Sequence, residues 1–373
     1  MNVVPKSYRF ADVLSIINGR NQKKVEAADG QYPIYGSGGI MGWANDYICP
    51  ENTVVIGRKG SINNPIYVDR KFWNVDTAFG LVSNRNLLLP RYLFYFCVCF
   101  DFEKLNTTVT IPSLTKTNLL QIKISLPPLE EQEKIIHRLD KLCHLIELKK
   151  EQLKRLDILA KSRFIEMFGD PVTNPRNFVS IPLNQMANIA SGITKGRKTK
   201  DLDLKEVPYM AVSNVKDGYI DWTTVKTILA THAEIQQYRI LPDDVLMTEG
   251  GDPDKLGRGA LIRTPLKDCI HQNHIFRVRL DKKMVLPVYF AEYLKKQKAK
   301  RYFLGCAKQT TGIASINMTQ LRVLPVLLPP ITLQNEFASF IEQLDKSKFS
   351  ISRQQKMIDS CQRGIILHLT GRL

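Results

Sequence analysis

The sequence predicts an α+β protein in which two globular domains are joined by two long antiparallel coiled-coil helices, with an internal pseudo-twofold repeat. Three observations indicate this: a proline-containing junction occurs twice, a long helical pattern follows each copy, and short strand patterns precede each copy. The expected segments are a first domain at residues 1–125, a first helix at 126–170, a second domain at 171–327 and a second helix at 328–373.

The two junctions are near-copies of each other. The segment LPPLEEQEKII at residues 126–136 returns as LPPITLQNEFA at residues 328–338, and Gln132 returns as Gln334. Two consecutive prolines end an extended segment, and proline is favourable in the first turn of a helix. Each junction therefore predicts that a strand ends and a helix begins at the same point.

Both helices carry apolar residues at alternating steps of four and three, which keeps one face turned toward a partner. Polar residues interrupt the seams at Lys149, Lys348, Gln355 and Gln362. An amphipathic helix lying on a domain is the alternative, but two helices in one register favour a mutual pair. At 1.5 Å per residue, roughly 36–40 residues would span about 55–60 Å. The apolar seam residues are Ile135, Leu139, Leu142, Ile146, Leu153 and Leu156 in the first helix and Phe337, Ile341, Leu344, Ile351 and Ile358 in the second.

Each domain block consists of short strand patterns broken by turn residues, which is typical of α+β or mostly β structure. The blocks resemble each other weakly, as VDTAF at 75–79 and QNHIF at 272–276 illustrate. The net charge of the chain is +17, of which +5 lies in residues 1–125 and +10 in residues 171–327. Basic domains attract nucleic acid, although solubility alone is a second explanation for the charge.

Glycine-rich loops supply candidate DNA contacts, because glycine lets the main chain approach a ligand closely. Such loops occur at residues 35–42 and 57–68 in the first block and at 191–200, 210–220, 248–260 and 306–315 in the second. Arginine and lysine can bind phosphate or guanine edges, and asparagine and glutamine can pair with adenine. A solvated turn is the alternative for any single residue of the set. The candidates are Arg58, Lys59, Asn63, Asn64, Thr194, Lys195, Arg197, Lys198, Lys308, Gln309 and Thr310.

Known catalytic motifs are absent from the sequence. There is no GxxxxGK[ST] phosphate loop, no GxSxG and no HExxH, and no ligand cluster completes a metal site around His271 and His274. The chain also lacks the Asn/Asp-Pro-Pro-aromatic motif of amino-methyltransferases, because LPPL and LPPI begin with leucine and end without an aromatic ring. The sequence therefore predicts no catalytic residues, no metal site and no cofactor bound by this chain.

The sequence also gives an expectation for the compartment. No apolar run is long enough for a membrane span, and the first residues lack the features of a signal peptide. The seven cysteines form no CxxC pair, as expected of free thiols in a reducing environment. We therefore expect a cytoplasmic protein that has no membrane partner.

These residues resemble the specificity subunit of type I restriction–modification enzymes. The resemblance rests on the two LPP…Q junctions, the helices that follow them, and the segments GRKGSINNPIYV, VDTAF, LPRYLF, TEGGDPDKLGRGALI and CIHQNHIFRV. It covers essentially the whole chain, residues 1–373. The paired junction is fairly specific, whereas each domain segment alone is weak evidence.

The resemblance implies a bacterial defence function in DNA methylation and restriction. Each domain would be a target recognition domain that reads one half of a split site in double-stranded DNA. The helices would act as a spacer and hold two adenine methyltransferase subunits, which carry S-adenosylmethionine, and restriction subunits that translocate and cut DNA can join that core. Transferred onto this sequence, the DNA-contacting loops would also include Tyr35, Ser37, Thr77, Asn214, Glu249, Gln272, Asn273 and His274.

Two other classes of function remain open from the sequence alone. One is a stand-alone nuclease with an unrecognised active site, since nuclease motifs can be very short. The other is a coiled-coil adaptor that binds only proteins, which would give no reason for the positive charge to lie in the domains.

Overall fold

The computed structural model describes residues 5–106, 111–197, 203–251, 256–310 and 313–369. The chain forms two compact units. Unit 1 comprises Met1–Gln152 with Ile351–Leu373, and unit 2 comprises Leu153–Ser350. Each unit thus contains one domain together with a part of each long helix. The predicted boundaries of the four sequence segments stay a prediction.

Unit 1 begins with a strand and a short helix, continues with seven consecutive strands, and then has helices before the last strand of the domain. A 3₁₀ helix at Phe102–Leu105 precedes the last strand of the domain. The elements are β1 (Lys6–Arg9), α1 (Phe10–Val13), β2 (Leu14–Asn18), β3 (Tyr32–Gly36), β4 (Gly39–Ala44), β5 (Thr53–Gly57), β6 (Ile66–Val68), β7 (Trp73–Asn74), β8 (Ala78–Ser83), α2 (Pro90–Cys99), α3 (Lys116–Leu120), β9 (Lys123–Leu126) and the first long helix, α4 (Leu129–Phe168).

Unit 2 follows this order of elements and has further helices and strands within it. Two 3₁₀ helices lie at Leu183–Gln185 and Val212–Asn214. The elements are β10 (Val179–Pro182), β11 (Ala187–Ser191), β12 (Lys205–Met210), β13 (Lys226–Ala230), α5 (His232–Tyr238), β14 (Val245–Thr248), β15 (Gly250–Gly251), β16 (Gly259–Leu261), β17 (Ile270–His271), β18 (Ile275–Leu280), α6 (Pro287–Leu294), α7 (Gln297–Cys306), β19 (Lys308–Thr310), β20 (Ile313–Ser315), α8 (Met318–Arg322), β21 (Pro325–Leu328) and the second long helix, α9 (Ile331–Leu369).

The sheets of the two units share one topology. Unit 1 has a four-stranded sheet in the order β2-β8-β5-β6, a three-stranded sheet β4-β3-β7 and the pair β1-β9. Unit 2 has the same three sheets as β11-β18-β14-β16, β13-β12-β17 and β10-β21, and adds a sheet β15-β20-β19. In both three-stranded sheets one pairing is antiparallel and the other, β3 with β7 or β12 with β17, is parallel. The predicted α+β class and internal repeat are confirmed.

In unit 1 the start of α4 is tied to the domain by one buried side chain. Gln132 is fully buried. Its Nε2 donates to the carbonyl oxygens of Leu87 at 2.8 Å and Pro127 at 2.9 Å. Its Oε1 accepts from the backbone N–H of Leu89 at 2.9 Å, immediately before α2. The three bonds satisfy the amide, which explains why a polar group can be buried here.

Unit 2 contains the same arrangement at the start of α9. Gln334 is also fully buried, and its Nε2 donates to the carbonyls of Met284 at 3.1 Å and Pro329 at 2.9 Å. Its Oε1 accepts from the N–H of Leu286 at 2.8 Å, immediately before α6. The repeated glutamine of the sequence is therefore a structural clamp between the long helix and the domain.

The seams of the long helices are buried as a coiled coil requires. All the seam residues predicted above are buried or half-buried, and so are the four polar positions that interrupt them. In unit 2, Asp157 pairs with Lys348 at 2.6 Å and the rings of Phe164 and Phe337 lie 5.6 Å apart. Because partner numbers rise along α4 as they fall along α9, the two segments are antiparallel.

In unit 1 the amide of Gln362 donates to the sulfur of Cys143 at 3.1 Å, which extends the pairing. The predicted antiparallel pair of long helices is therefore present within each unit. None of the helices in the described part of the chain combines the length and the apolar composition of a membrane span.

Candidate nucleic-acid interface

In unit 1 the strand ends of the central sheet bring three predicted segments together. The backbone N–H groups of Arg58 and Lys59, just after β5, donate to the carbonyl of Thr77 at 2.8 and 3.2 Å. Ser37, in the β3–β4 turn, packs against the main chain at Gly57. The structure therefore gathers Ser37, Arg58, Lys59 and Thr77 into one loop cluster.

The side chains of this cluster differ in how available they are. Arg58, Lys59 and Asn64 are exposed, so their donors can reach a ligand. Asn63 is also exposed, but its Oδ1 accepts from the N–H of Phe102 at 2.7 Å and so caps the 3₁₀ helix. Asn63 therefore has a structural use inside the unit.

Tyr35 lies at the end of β3, beside the cluster. Its ring packs edge-on against Phe72 with centroids 5.3 Å apart. Burial is the main cause that raises the pKa of the Tyr35 hydroxyl above its ordinary value. The phenol therefore stays protonated at neutral pH and can donate a hydrogen bond.

Unit 2 gathers a corresponding set of segments. The N–H of Glu249, just after β14, donates to the carbonyl of His274 at 3.1 Å, and the side chains of these two residues meet at 2.6 Å. The N–H of Asn273 donates to the carbonyl of Ile193 at 3.1 Å. The Oε1 of Gln272 accepts from the N–H of Val212 at 3.3 Å. The structure thus joins the loop before β18 to the loops after β11, β12 and β14.

Other candidates in unit 2 border this cluster. Thr194 and Lys195 are exposed in the loop that follows Ile193. The backbone of Lys308–Thr310 forms β19, which pairs with β20, and β20 pairs with β15 beside Glu249. Lys308, Gln309 and Thr310 are thereby placed near the cluster through their main chain. Lys198 lies outside the described residues.

Two predicted contacts have side chains that are held inside unit 2. Arg197 forms a two-pronged ion pair with Glu234 and also donates to the carbonyl of Leu229. The hydrogen bond from Arg197 is the main cause that lowers the pKa of the Glu234 carboxyl, so both groups are charged at neutral pH and neutralise each other. Asn214 is 1% exposed and bonds to the carbonyl of Asp221 and to Thr224.

The sequence interpretation missed an apolar patch on the β3–β4 hairpin of unit 1. Ile40, Met41 and Trp43 are 56%, 63% and 41% exposed. The patch adjoins the turn that contains Ser37. The sequence signal was available, since three large apolar residues follow a glycine-rich turn, but the strand faces had not been assigned.

Sequence reasoning also missed a matched pair of buried polar residues. Asn74 at the end of β7 and His271 at the end of β17 are both 0% exposed, and each directly precedes a predicted contact loop. Burial is the main cause that lowers the pKa of His271 from 6.5 to about 4. The imidazole is therefore neutral at physiological pH. The matching segments VDTAF and QNHIF begin one residue after these positions, which is the signal that could have found them.

The two clusters offer side chains that are suited to binding a ligand by hydrogen bonds and charge. They present cationic, amide, hydroxyl and imidazole groups on loops supported by a sheet, which suits contacts to phosphates and base edges. Within the described part of the chain, no group of three or more histidine, cysteine, aspartate or glutamate residues is arranged to hold a metal ion.

Comparison with known proteins agrees with this geometry. The type I restriction modification DNA specificity domain matches the chain twice, over residues 5–157 and 175–358. The EcoKI specificity subunit of Escherichia coli is 24% identical over 328 residues, which cover 82% of this chain and 70% of that protein. The MjaVIII specificity subunit of Methanocaldococcus jannaschii is 25% identical, and the match covers 98% of this chain and 92% of that protein.

Solved structures show the same fold. The S subunit of a type I restriction–modification system from M. genitalium superposes with a TM-score of 0.62 at 14% identity, covering 99% of this chain and 97% of that one. A chain from a study of assembly and conformational transition in the type I system superposes with a TM-score of 0.59 at 16% identity, covering 100% of both chains. With its two matched domains, this chain belongs to the family of type I restriction–modification DNA specificity subunits.

Proposed function

We propose that this chain is the non-catalytic DNA-reading subunit of a type I modification complex, and that each unit reads one half of a split double-stranded target. One observation carries the proposal: the DNA specificity domain occurs twice, and both copies place their candidate contact loops at the same point of the same sheet topology. A chain with two recognition domains would recognise a target made of two parts.

The long helices are proposed to set the distance between the two readings and to dock two adenine methyltransferase subunits. Large apolar side chains outside the seam support a docking role, because such groups in excess mark interaction surfaces. Leu148 and Ile158 on α4 are 46% and 52% exposed, and Phe349 and Met357 on α9 are 73% and 63% exposed.

The proposed complex divides its chemistry among its chains. S-adenosylmethionine would bind to the methyltransferase subunits, and restriction subunits, where the system includes them, would join the same core. The complex would act in the cytoplasm, where its DNA target is. This chain would contribute base and phosphate contacts and the spacing between them.

Methylome sequencing of a host that expresses this chain with its methyltransferase tests the central proposal. The expected result is a split motif with one methylated adenine in each half. Replacing residues 1–125 with the matching block of a relative should change one half of the motif and leave the other unchanged. A change in both halves would contradict the two-reader arrangement.

Substitutions in the seams test the role of the helices. Leu142→Lys and Ile358→Lys each place a charge at a half-buried seam position, so both should loosen the helix pair or release methyltransferase subunits. Size-exclusion chromatography with light scattering would measure the loss of subunits. The motif methylated by the remaining intact complex should be unchanged.

The comparisons support neither of the two other classes considered from the sequence. A stand-alone nuclease would cut plasmid DNA with Mg²⁺ and no partner subunit, and we expect no cutting by the purified chain. A protein-only adaptor would show no salt-dependent DNA affinity in filter binding. We expect affinity that falls steeply as salt rises, because phosphate contacts release counterions.

A further inference from the structure

Two buried polar residues occupy the same position in the repeated fold. Asn74 pairs with Tyr35 where β7 runs parallel to β3. His271 pairs with Met210 where β17 runs parallel to β12. Both side chains are fully buried, so neither can touch DNA directly. A buried polar group is costly unless it makes a specific bond, which raises the question of what these two residues bond to.

Both side chains make the same forward hydrogen bond. Asn74 Nδ2 donates to the carbonyl of Ala78 at 3.1 Å. His271 Nδ1 lies 3.1 Å from the carbonyl of Ile275, and since a carbonyl only accepts, Nδ1 carries the proton. Each acceptor is four residues ahead of its donor. The bond therefore closes a ring around the intervening loop, residues 75–77 in unit 1 and 272–274 in unit 2.

These two closed loops carry the candidate contacts and hold their neighbours. The Thr77 carbonyl accepts from both Arg58 and Lys59, and the His274 carbonyl accepts from Glu249. The loop after β5 or β14 therefore takes its position from the closed loop. A shift of the closed loop would move both segments of the cluster together.

A glycine allows another segment to approach the main chain closely at or next to each buried residue. A Cβ at Gly19 would lie 1.7 Å from the carbonyl oxygen of Val75, and a Cβ at Gly192 would lie 1.8 Å from that of His271. Only glycine allows this approach of the two main chains. The main chain at the start of each contact loop is thus approached closely by a glycine and is also held by the side-chain bond.

We infer that Asn74 and His271 are matched positioning residues, each of which holds the recognition loop of its own unit in the conformation that reads DNA. The inference rests on the proposed function and extends it to two residues that do not contact the target. The remaining polar atoms, Asn74 Oδ1 and His271 Nε2, are buried and have no hydrogen-bond partner among the described residues. The forward bond to the loop is thus the contact that the two side chains share.

The test compares variants in the complete complex with its methyltransferase. His271→Leu and Asn74→Leu each replace the hydrogen-bond donor with an apolar side chain of comparable size. The readout is the fraction of near-cognate sites methylated, counted separately for mismatches in each half of the motif. His271→Leu should raise tolerance about tenfold in the half read by unit 2 only, the effect of about one neutral hydrogen bond. Asn74→Leu should do the same in the other half.

The conservative variant His271→Asn distinguishes a role in positioning the loop from a role in filling space in the core. Its Nδ2 can donate to the Ile275 carbonyl as Asn74 does to Ala78, so tolerance should return to within about threefold of wild type. Cys269→Ala is the matched control, because it weakens the same core at a fully buried position without touching the loop bond. Its tolerance should equal that of wild type.

Three results would overturn the inference. The first is unchanged tolerance in a folded His271→Leu complex, and the second is equal relaxation in both halves. The third is that Cys269→Ala raises the tolerance for near-cognate sites in proportion to the melting temperature that it loses. Loss of stability alone would then explain the effect. If His271→Leu fails to fold, His271→Asn and Asn74→Leu still decide the question. Failure of the proposed function would appear differently, as the absence of a split motif in the wild type.

Discussion

The joint between domain and long helix occurs in both units, and the two copies are filled differently. In unit 1, Arg91 on α2 forms an ion pair with Asp140 on α4, and the hydroxyl of Tyr95 donates to the same carboxylate. The guanidinium also lies 4.9 Å from the ring centre of Tyr67 and 5.8 Å from that of Phe94. Large aromatic and charged groups therefore close this joint.

The corresponding place in unit 2 is open. The residues that match Arg91, Phe94 and Tyr67 in the repeat are Val288, Ala291 and Leu261, and all three line a cleft of about 950 Å³. The match of Asp140 is Glu342, which pairs with Lys346 on its own helix at 2.9 Å. Among its described residues, unit 2 thus has no ion pair at the position of Arg91 and Asp140. Its ion pair from domain to long helix joins Arg263 to Asp345 at 3.1 Å, and both residues line the same cleft.

What the two joints share is the set of bonds to the main chain. Each has its glutamine clamp, and each has a buried tyrosine that donates to a strand carbonyl: Tyr92 to Ser125 at 3.2 Å and Tyr289 to Leu327 at 2.8 Å. The comparison teaches that the two joints have the same few buried polar groups bonded to the main chain, while the side chains packed around those groups differ.

The largest expected effect comes from removing the shared clamp. Gln132→Leu and Gln334→Leu each leave two carbonyls and one N–H without the partner that the buried amide supplies. Each variant should lower the free energy of unfolding by about 4 kcal/mol, since unsatisfied buried groups cost about 1–3 kcal/mol apiece. Denaturant titration would measure it, with exposed Gln343→Leu as the control. Very unequal losses would show that the two joints are not equivalent.

The second effect is a dependence of stability on pH that comes from His271 in unit 2. The pKa of His271 is lowered to about 4, mainly by burial and next by Arg277, so the unfolded chain takes up a proton more readily than the folded chain. Stability from this group is present above pH 6.5 and is lost as pH falls toward 4, by about 3 kcal/mol. The wild type should lose this amount relative to His271→Asn. The free energy of unfolding of both proteins is measured as a function of pH. If it fell equally in both as pH is lowered, the assignment of this pH dependence to His271 would be contradicted.

A third, smaller effect probes the polar bridge of unit 1. Arg91→Val copies the residue of unit 2 and removes the bridge. Because the side chains of Arg91 and Asp140 are 37% and 40% exposed, water screens the pair and the loss should be only about 1 kcal/mol. Thermal melting would measure it. Arg138→Val, at an exposed position of α4, controls for the change in helix propensity and should cost less.

The smallest effect concerns single phosphate contacts. Lys59 is exposed in unit 1, and its match in the repeat is Gly250, so only one unit has this charge. Lys59→Ala should weaken DNA binding a few-fold for every sequence and reduce the slope of log affinity against log salt by about 1. Lys134→Ala is the control, because Lys134 is already paired with Glu131. An altered sequence preference would instead make Lys59 a base-reading residue.

The fold was predictable to the extent that local patterns specify it. The proline junctions gave the starts of α4 and α9, and steps of four and three located the seam positions. Sheet order was not predictable in this way, because β3 pairs with β7 although three other strands lie between them in the sequence, and no periodicity records such a pairing. The cleft in unit 2 was equally hidden, since the residues that line it come from elements that are far apart in the sequence, among them α4, β16, α6 and α9.

The candidate site shows the same division. Loop composition pointed to Arg58 and the family resemblance pointed to Thr77, and the structure brings the two together through a backbone bond. Loop composition also selected Arg197, and the resemblance also selected Asn214, but the side chains of both are held within unit 2. Their partners, such as Glu234, are distant in sequence, so residue type alone could not reveal the difference. The roles of all these residues as DNA contacts stay a prediction.

The glutamine clamp has a consequence for how such a protein can change. Gln132 and Gln334 bond only to backbone atoms, so they recognise the course of a chain and not the identity of its side chains. A domain of different sequence could be exchanged at this joint without rebuilding it, provided that the same loop arrives before the same helix. Recombination between relatives could in this way create new specificities in one step, while the long helices are kept.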